Sequence, residues 1–278
     1  MARIAVIGLT GRSLFFEVPH FHRGGETVHA TGFHSELGGK GFNQAVAAAR
    51  QGAEVSFLTA VGVDDEADVR SFLAHEGIAG TVAGKNVPSA CATIQTDGSG
   101  ETRVTVARGA ELDEADAAGF KEEIAAADFL LLNNEVPEEV NLRASEIAAE
   151  AGARIIFNPA PARPLPAVLK SRVFLFTPNE FEVSGLEDVK CEVVETLGAR
   201  GCRIRSTGET VPAVPCGEPV DSTGAGDTFN AVLAVRLAEG EQLPDACRAA
   251  NAAAAKSVAV RYVLPSIPYR VAVSGNLV

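Results

Sequence analysis

The chain has 278 residues, 36 of them acidic and 24 basic, for a formal net charge of -12 and a pI near 4.9. That balance excludes a nucleic-acid surface, which needs clustered Lys and Arg to displace counterions, and no basic run here is longer than a pair. With 46% apolar and 22% charged residues it is not a disordered chain, and no apolar stretch approaches the roughly 20 residues that span a bilayer. The opening MARIAVIGL runs into a strand-like segment without a cleavage site, so a soluble, cytoplasmic protein is expected. Five cysteines, Cys91, Cys191, Cys202, Cys216 and Cys247, are scattered and never spaced C-x-x-C, which favours packing roles over a disulfide framework or a zinc site.

In chain order, Ile4–Gly8 reads as a buried strand, followed by an irregular stretch, Arg12–Glu36. Phe42–Gly52 has helical period and ends on glycine at the C-cap position; Val55–Thr59 is the next strand and Ala67–Gly77 the next helix, with the same stop signal. The segment ACATIQTDGSGETRVTVA, Ala90–Ala107, alternates around a DGSG turn and reads as a hairpin. Then come strand Phe129–Asn133, helix Pro137–Gly152, strands Arg154–Asn158 and Val173–Thr177, and helices Asp227–Gly240 and Leu243–Val260. Such alternation predicts βαβ units around a mostly parallel sheet, an α/β fold in one domain over 1–278. The two stretches that break it, about 12–36 and 90–107, are expected to form a small accessory sheet, a lid over the substrate crevice. No repeat, low-complexity tract or linker is present.

Two motifs carry chemistry. In Asp221-Ser-Thr-Gly-Ala-Gly-Asp227-Thr-Phe-Asn, the small residues Gly224, Ala225 and Gly226 let the backbone turn tightly at a helix N-terminus, so that N–H groups and the helix dipole converge on an anion hole. An ionised carboxylate at Asp227 beside those donors suits a general base for a substrate hydroxyl, the pairing that phosphoryl transfer requires. The same residues also suit a plain glycine-rich helix entry capped by Asp227. In Gly38-Gly39-Lys40-Gly41-Phe42-Asn43-Gln44, glycines allow close backbone approach to a ligand while Lys40 and Asn43 offer a positive donor and a two-way amide. The spacing is not that of a P-loop.

Together these two motifs, with Asn158-Pro-Ala-Pro-Ala162, Thr177-Pro-Asn-Glu-Phe-Glu182 and Thr196-Leu-Gly-Ala-Arg-Gly201 in this order, resemble the ribokinase branch of the PfkB carbohydrate kinase family from strand one to Pro265-Ser266-Ile267-Pro268, nearly the whole chain. The resemblance implies a three-layer α/β/α ribokinase-like domain with a β-sheet lid, and transfer of the ATP γ-phosphate to a primary hydroxyl of a small sugar. By matching position it makes Asp227 the catalytic base and Gly224, Ala225 and Gly226 the anion hole. It assigns Gly39, Lys40, Asn43 and Glu135 to the sugar, and Asn179, Thr196, Gly198, Gly201 and Asn251 to the nucleotide. Glu182 would order Mg2+ through water, and Asp221 and Ser266 would belong to a monovalent-cation site in a potassium-activated enzyme. It also implies a homodimer formed through the β lid. A nucleoside or phosphosugar acceptor, or a non-catalytic sugar-binding or regulatory protein on the same scaffold, are the alternatives.

The sequence departs from the family pattern at three places. Ribokinases carry N-x-D just after strand one, and Gly11 and Ser13 stand there instead, which argues against ribose because a lost hydroxyl partner in a closed site costs roughly 1–3 kcal/mol. Arg12 enters the same segment, so a phosphorylated or carboxylated acceptor stays open, with Arg103 and Arg108 as the other candidate cations. If Val173–Thr177 and Val189–Glu195 are both strands, the connection Pro178–Asp188 is shorter than the dozen or so residues of a parallel crossover, so its helix is expected to shrink to about one turn and leave one sheet face less covered. Finally, Tyr262-Val263 replaces the usual Gly-Ala before the Pro-Ser pair. A tyrosine adopts positive φ poorly, so a different local loop is expected there.

Overall fold

The structure, a computed structural model, describes residues 1–270. From the N-terminus, β1 (Arg3–Ile7) leads into a hairpin, β2 (Gly11–Glu17) and β3 (Gly32–Gly38), then α1 (Lys40–Arg50), β4 (Glu54–Gly62), α2 (Glu66–His75) and β5 (Ala79–Lys85). A second hairpin, β6 (Ala90–Thr96) and β7 (Thr102–Ala107), precedes α3 (Glu114–Gly119), α4 (Lys121–Ala126), β8 (Phe129–Asn133), α5 (Glu138–Ala151) and β9 (Arg154–Asn158). There follow α6 (Ala167–Arg172), β10 (Leu175–Phe176), β11 (Glu192–Thr196), a 3-10 turn at Gly198–Arg200, β12 (Cys202–Ile204), β13 (Thr210–Val211), α7 (Ala225–Ala238), α8 (Leu243–Ser257) and α9 (Val263–Ser266).

Nine strands form one sheet in the order β13-β12-β11-β10-β9-β8-β1-β4-β5. It is parallel from β11 to β5, with β12 and β13 antiparallel at one end. The interior positions of β1, β8 and β9 are apolar because both faces are covered. In β8, Phe129 and Leu131 enter one core while Leu130 and Leu132 enter the other. The first core packs under α1, α7 and α8 with Phe42, Leu233 and Ala250; the second packs under α4, α5 and α6 with Ile124, Val140 and Leu169. This is the expected three-layer α/β/α arrangement.

The lid is a four-stranded sheet, β3-β2-β6-β7. Each hairpin is antiparallel, and β2 joins β6 in parallel from Gly11↔Ala90 to Glu17↔Thr96. The DGSG turn closes as its chemistry predicts: Gly100 N–H donates to the Asp97 carbonyl at 3.0 Å, and Ser99 N–H to the Asp97 side chain at 2.9 Å.

The chain leaves β1 toward β4 on one side, while β8 lies on the other. Ligands in open α/β sheets bind at such a reversal, outside the carboxyl ends of the strands. The residues that follow β1 and β8 are therefore placed to form a site.

Two expectations are corrected. The strand expected over Val173–Thr177 is only Leu175–Phe176; the crossover that follows keeps a single helical turn, the Val183 N–H donating to the Asn179 carbonyl at 3.1 Å, before β11 pairs in parallel with β10. The sheet face is nonetheless covered, because Leu186 is 2% exposed in the second core and its carbonyl accepts the Arg205 guanidinium at 2.6 Å. At the other departure, Tyr262 does adopt the glycine-like backbone, with φ 67 and ψ 163. That conformation costs a non-glycine residue on the order of 1–3 kcal/mol and persists where neighbours over-determine it. Here Asp221 holds its N–H at 3.1 Å and His34 stacks on its ring at 3.8 Å.

Candidate active site

The site is built where α1 and α7 bring their N-termini to the ends of β1 and β8. Gly224 caps α7 with φ 76, and a Cβ on it would sit 2.5 Å from Val263 Cγ1, so both the backbone angle and the space require glycine. The N–H groups of Gly226 and Asp227 have no partner among the described residues, as first-turn donors do not, and they carry the positive end of the dipole. Asp227 is 5% exposed. Its Oδ2 accepts Asn43 Nδ2 at 2.9 Å and its Oδ1 accepts Gln44 Nε2 at 3.3 Å. Thus the two glycine-rich motifs, far apart in sequence, meet through one carboxylate.

Glu135 stands two residues beyond β8, its N–H donating to Asn133 Oδ1 at 2.9 Å and its Oε2 accepting the backbone N–H of Lys40 at 2.6 Å. Burial pushes the Glu135 carboxyl up to about 7, with Lys40 opposing and Asp227 adding to the rise. The Lys40 ammonium holds its proton above the usual lysine range, chiefly through Asp227, with Glu135 and Glu182 contributing against the cost of burial. Lys40 is therefore a fixed positive charge among three carboxylates.

Beside this cluster lies a cavity of about 210 Å3, bounded by Lys40, Asn158, Thr177, Asn179, Glu182, Thr196, Ser222, Gly224, Gly226, Asp227 and Asn230. It gathers the ends of β9 and β11, the turn after β10 and the entry to α7. Within it, Glu182 is oriented by Asn179, whose backbone N–H and Nδ2 donate to its two oxygens at 3.0 and 2.8 Å. Thr177 Oγ1, Asn230 Oδ1 and Asn43 Oδ1 are buried without a partner among the described residues. Buried polar atoms are ordinarily satisfied, so three such atoms around one cradle of amides fit a ligand rich in hydroxyl and phosphoryl oxygens.

Residues 1–269 match the pfkB family carbohydrate kinase. The chain belongs to that family. It is a ribokinase-like carbohydrate kinase, a phosphotransferase with an alcohol group as acceptor and ATP as donor. The ribokinase of Bacillus subtilis is 36% identical over 274 residues, covering 93% of each chain. Among solved structures, a ribokinase from Thermotoga maritima superposes with a TM-score of 0.86 at 30% identity over 97% of both chains. An Arabidopsis thaliana ribokinase complexed with ribose and ATP superposes at 0.84 with 26% identity over 96% of both.

Of the residues expected from the sequence of this kinase, Lys40, Asn179, Glu182, Thr196, Gly224, Gly226 and Asp227 line the cavity, with Ala225 between the two glycines. Asn43 and Glu135 join through their hydrogen bonds, and Gly39 caps α1, its carbonyl accepting the Asn43 N–H at 2.8 Å. Others lie outside the cavity. Gly198 and Gly201 bound the 3-10 turn; at Gly201, with φ 91, a Cβ would collide with the Val211 carbonyl, so its glycine is explained by backbone packing alone. Asn251 is 6% exposed and donates to the carbonyls of Val211 and Pro212 at 3.0 and 3.1 Å, tying α8 to β13. Asp221 accepts the N–H groups of Thr223 at 2.9 Å and Tyr262, while Ser266 donates to the Val263 carbonyl at 2.8 Å.

Gln44, Asn158, Thr177, Ser222 and Asn230 carry no assignment from the sequence. All five sit inside motifs quoted above; Asn158 and Thr177 stand at strand ends and Gln44 and Asn230 in otherwise apolar helices, a signal that could have marked those four, while Ser222 lies in the loop before α7. The candidate phosphate cations are otherwise engaged. Arg12 donates to Asp65 from Nε and Nη2 at 3.1 and 2.8 Å, Arg103 lies 4.0 Å over the Phe21 ring, and Arg108 is 3.7 Å from Glu111.

Proposed function

We propose that this kinase phosphorylates the primary hydroxyl of a pentose, ribose or a close analogue, with Asp227 as general base. The observation that carries the reading is the Asp227 carboxylate, buried beside the open first-turn amides of α7 and held by Asn43 and Gln44. Asp227 would take the hydroxyl proton as the sugar oxygen bonds to the γ-phosphorus and the bond from that phosphorus to the bridging oxygen of ADP breaks. The amides of Gly224 to Asp227 and the Lys40 ammonium would neutralise charge on the transferring group, the part of phosphoryl transfer that proteins supply best. Glu135, Lys40, Asn43 and Gly39 would hold the sugar; Asn179, Thr196, Gly198 and Gly201 would face the nucleotide, with Asn251 shaping the base pocket from behind.

Glu182 suits a hydrated magnesium ion, since each of its oxygens accepts one hydrogen bond from Asn179 and retains a lone pair for a water. Magnesium would shield the phosphates of ATP there. Asp221 and Ser266 would hold a monovalent cation on the loop behind the anion hole. The pairing of Arg12 with Asp65 speaks against a phosphosugar acceptor. ADP formation over a panel of pentoses, hexoses, nucleosides and sugar phosphates tests the reading, run with and without MgCl2 and with KCl against tetramethylammonium chloride. A free pentose is expected to lead, with ribose at a raised KM because Ser13 stands where the sugar aspartate would be, with magnesium required and potassium raising the rate. No turnover with any free sugar would sink it.

A further inference from the structure

Tyr262, the non-glycine residue with positive φ among the described residues, lies where the lid meets the loop that opens α7. On the lid side its ring stacks on His34 of β3, centroids 3.8 Å and planes 21° apart, and meets Phe15 of β2 edge-on at 5.1 Å. Its chain neighbours are held by the lid as well. Arg261 pairs with Glu17 at 2.5 Å, and the buried Glu36 carboxylate accepts the N–H groups of Val263 at 2.8 Å and Leu264 at 3.3 Å. On the other side, Asp221 binds the Tyr262 N–H at 3.1 Å through one oxygen and the Thr223 N–H at 2.9 Å through the other. Val263 packs on Gly224, its Cγ1 only 2.5 Å from where a Cβ would project. Residues 261–264 thus touch both the β2–β3 hairpin and the first residues of the anion hole.

We propose that Tyr262 and Glu36 are positioning residues, a latch through which the seating of the lid sets the anion hole at Gly224 to Asp227. The inference rests on the kinase reading of that loop. Tyr262 keeps its glycine-like backbone because partners hold it from both sides. With the lid lifted, the ring loses His34 and Phe15, and Val263 and Leu264 lose Glu36. The Tyr262 N–H then turns away from Asp221, and Gly224 loses the side chain that backs it. The amides are aligned for the transferring phosphoryl group when the lid is seated and water is excluded, which ties transfer to the presence of an acceptor.

The test compares the full-length protein with Tyr262→Gly, Tyr262→Phe and Glu36→Gln. Glycine takes the backbone angle without strain, so folding is not at risk while the ring is lost. Amide hydrogen exchange without ligands reads the latch directly, and kcat and KM for ATP and ribose read its consequence. In Tyr262→Gly, exchange is expected to rise together in β2–β3 and in residues 221–228, with kcat falling about tenfold and the KM for ATP staying within about twofold. Glu36→Gln should show the same pattern, and Tyr262→Phe should match the unsubstituted protein. Faster exchange in the lid with none at 221–228, an unchanged kcat in Tyr262→Gly, or equal loss in Tyr262→Phe would overturn the latch. An unsubstituted protein inactive on every acceptor would overturn the kinase reading instead, and the exchange measurement would still decide the latch.

Discussion

Single side chains in this site are set by their neighbours' charge and burial, and three make separable predictions. Asp227→Asn keeps the shape but has one acceptor oxygen for the two amides of Asn43 and Gln44 that donate to it, and it cannot take a proton, so kcat should fall by about 10²–10⁴ with the KM for ATP little changed; full turnover would remove Asp227 as the base. Glu135 binds its proton more tightly folded than unfolded, rising from an ordinary 4.5 to about 7. Its contribution is therefore harmless at low pH and grows unfavourable as pH climbs through that interval, reaching roughly 3 kcal/mol above it. Urea unfolding should show Glu135→Gln gaining on the unsubstituted protein by roughly 2 kcal/mol between about pH 5.5 and about pH 8, and a gap independent of pH would refute the assignment. The third concerns Ser13, which lies on β2 opposite Glu36 of β3, a residue already committed to Val263 and Leu264. With Glu36 so committed, Ser13→Asp should lower the KM for ribose about tenfold, the worth of one charge-assisted hydrogen bond. An unchanged KM in steady-state assays would place the sugar away from β2.

At the scale of elements, the strongly patterned ones were legible and the irregular ones were not. The second lid hairpin, the central strands and the long helices follow from period and punctuation, because β8 or α5 buries enough apolar surface to fix its own identity, whereas β2 and β3 lie in a stretch that shows neither. By contrast, β5 reads AGTVAGK, too poor in large apolar residues to announce itself, and as the sheet's edge it needs only β4 as a partner. The path of residues 177–191 depends on Asn179 and Glu182 closing a turn, a tertiary choice that no propensity encodes. Tyr262 departs from its type's preference for the same reason: its conformation is imposed by Asp221, His34 and Phe15, from three distant segments. In the site, the motifs named the residues that meet, but not that Asn251 acts on the backbone of β13. Asn251→Ala should leave the buried Val211 carbonyl and the half-buried Pro212 carbonyl without their amide partner and cost about 1–3 kcal/mol in urea unfolding, with the KM for ATP rising as β12 and β13 loosen. A variant as stable as the parent would mean that water replaces the amide.

For the whole molecule, the lid leaves a sheet edge that a folded protein must cover or defend. Every residue of β7 is exposed, with Val104 58% and Val106 62% accessible on the face that Ile94 and Ala92 share by register. Natural edges are usually blunted by charge or covered, and β7 has a single charged residue, Arg103. A second copy of the lid, related by a two-fold axis, would pair that edge and bury those valines. The net charge of -12 opposes association at long range, whereas the contact itself is apolar and nearly neutral. Salt should therefore tighten the dimer by screening repulsion between the bodies, the reverse of an ion-paired interface. Light scattering should give a dimer mass that persists to lower concentration as salt rises, and Val104→Lys, which places a like charge across the axis, should give a monomer of unchanged fold by circular dichroism. A monomer for the unsubstituted protein at every salt concentration, or a Val104→Lys dimer, would show that β7 is protected some other way.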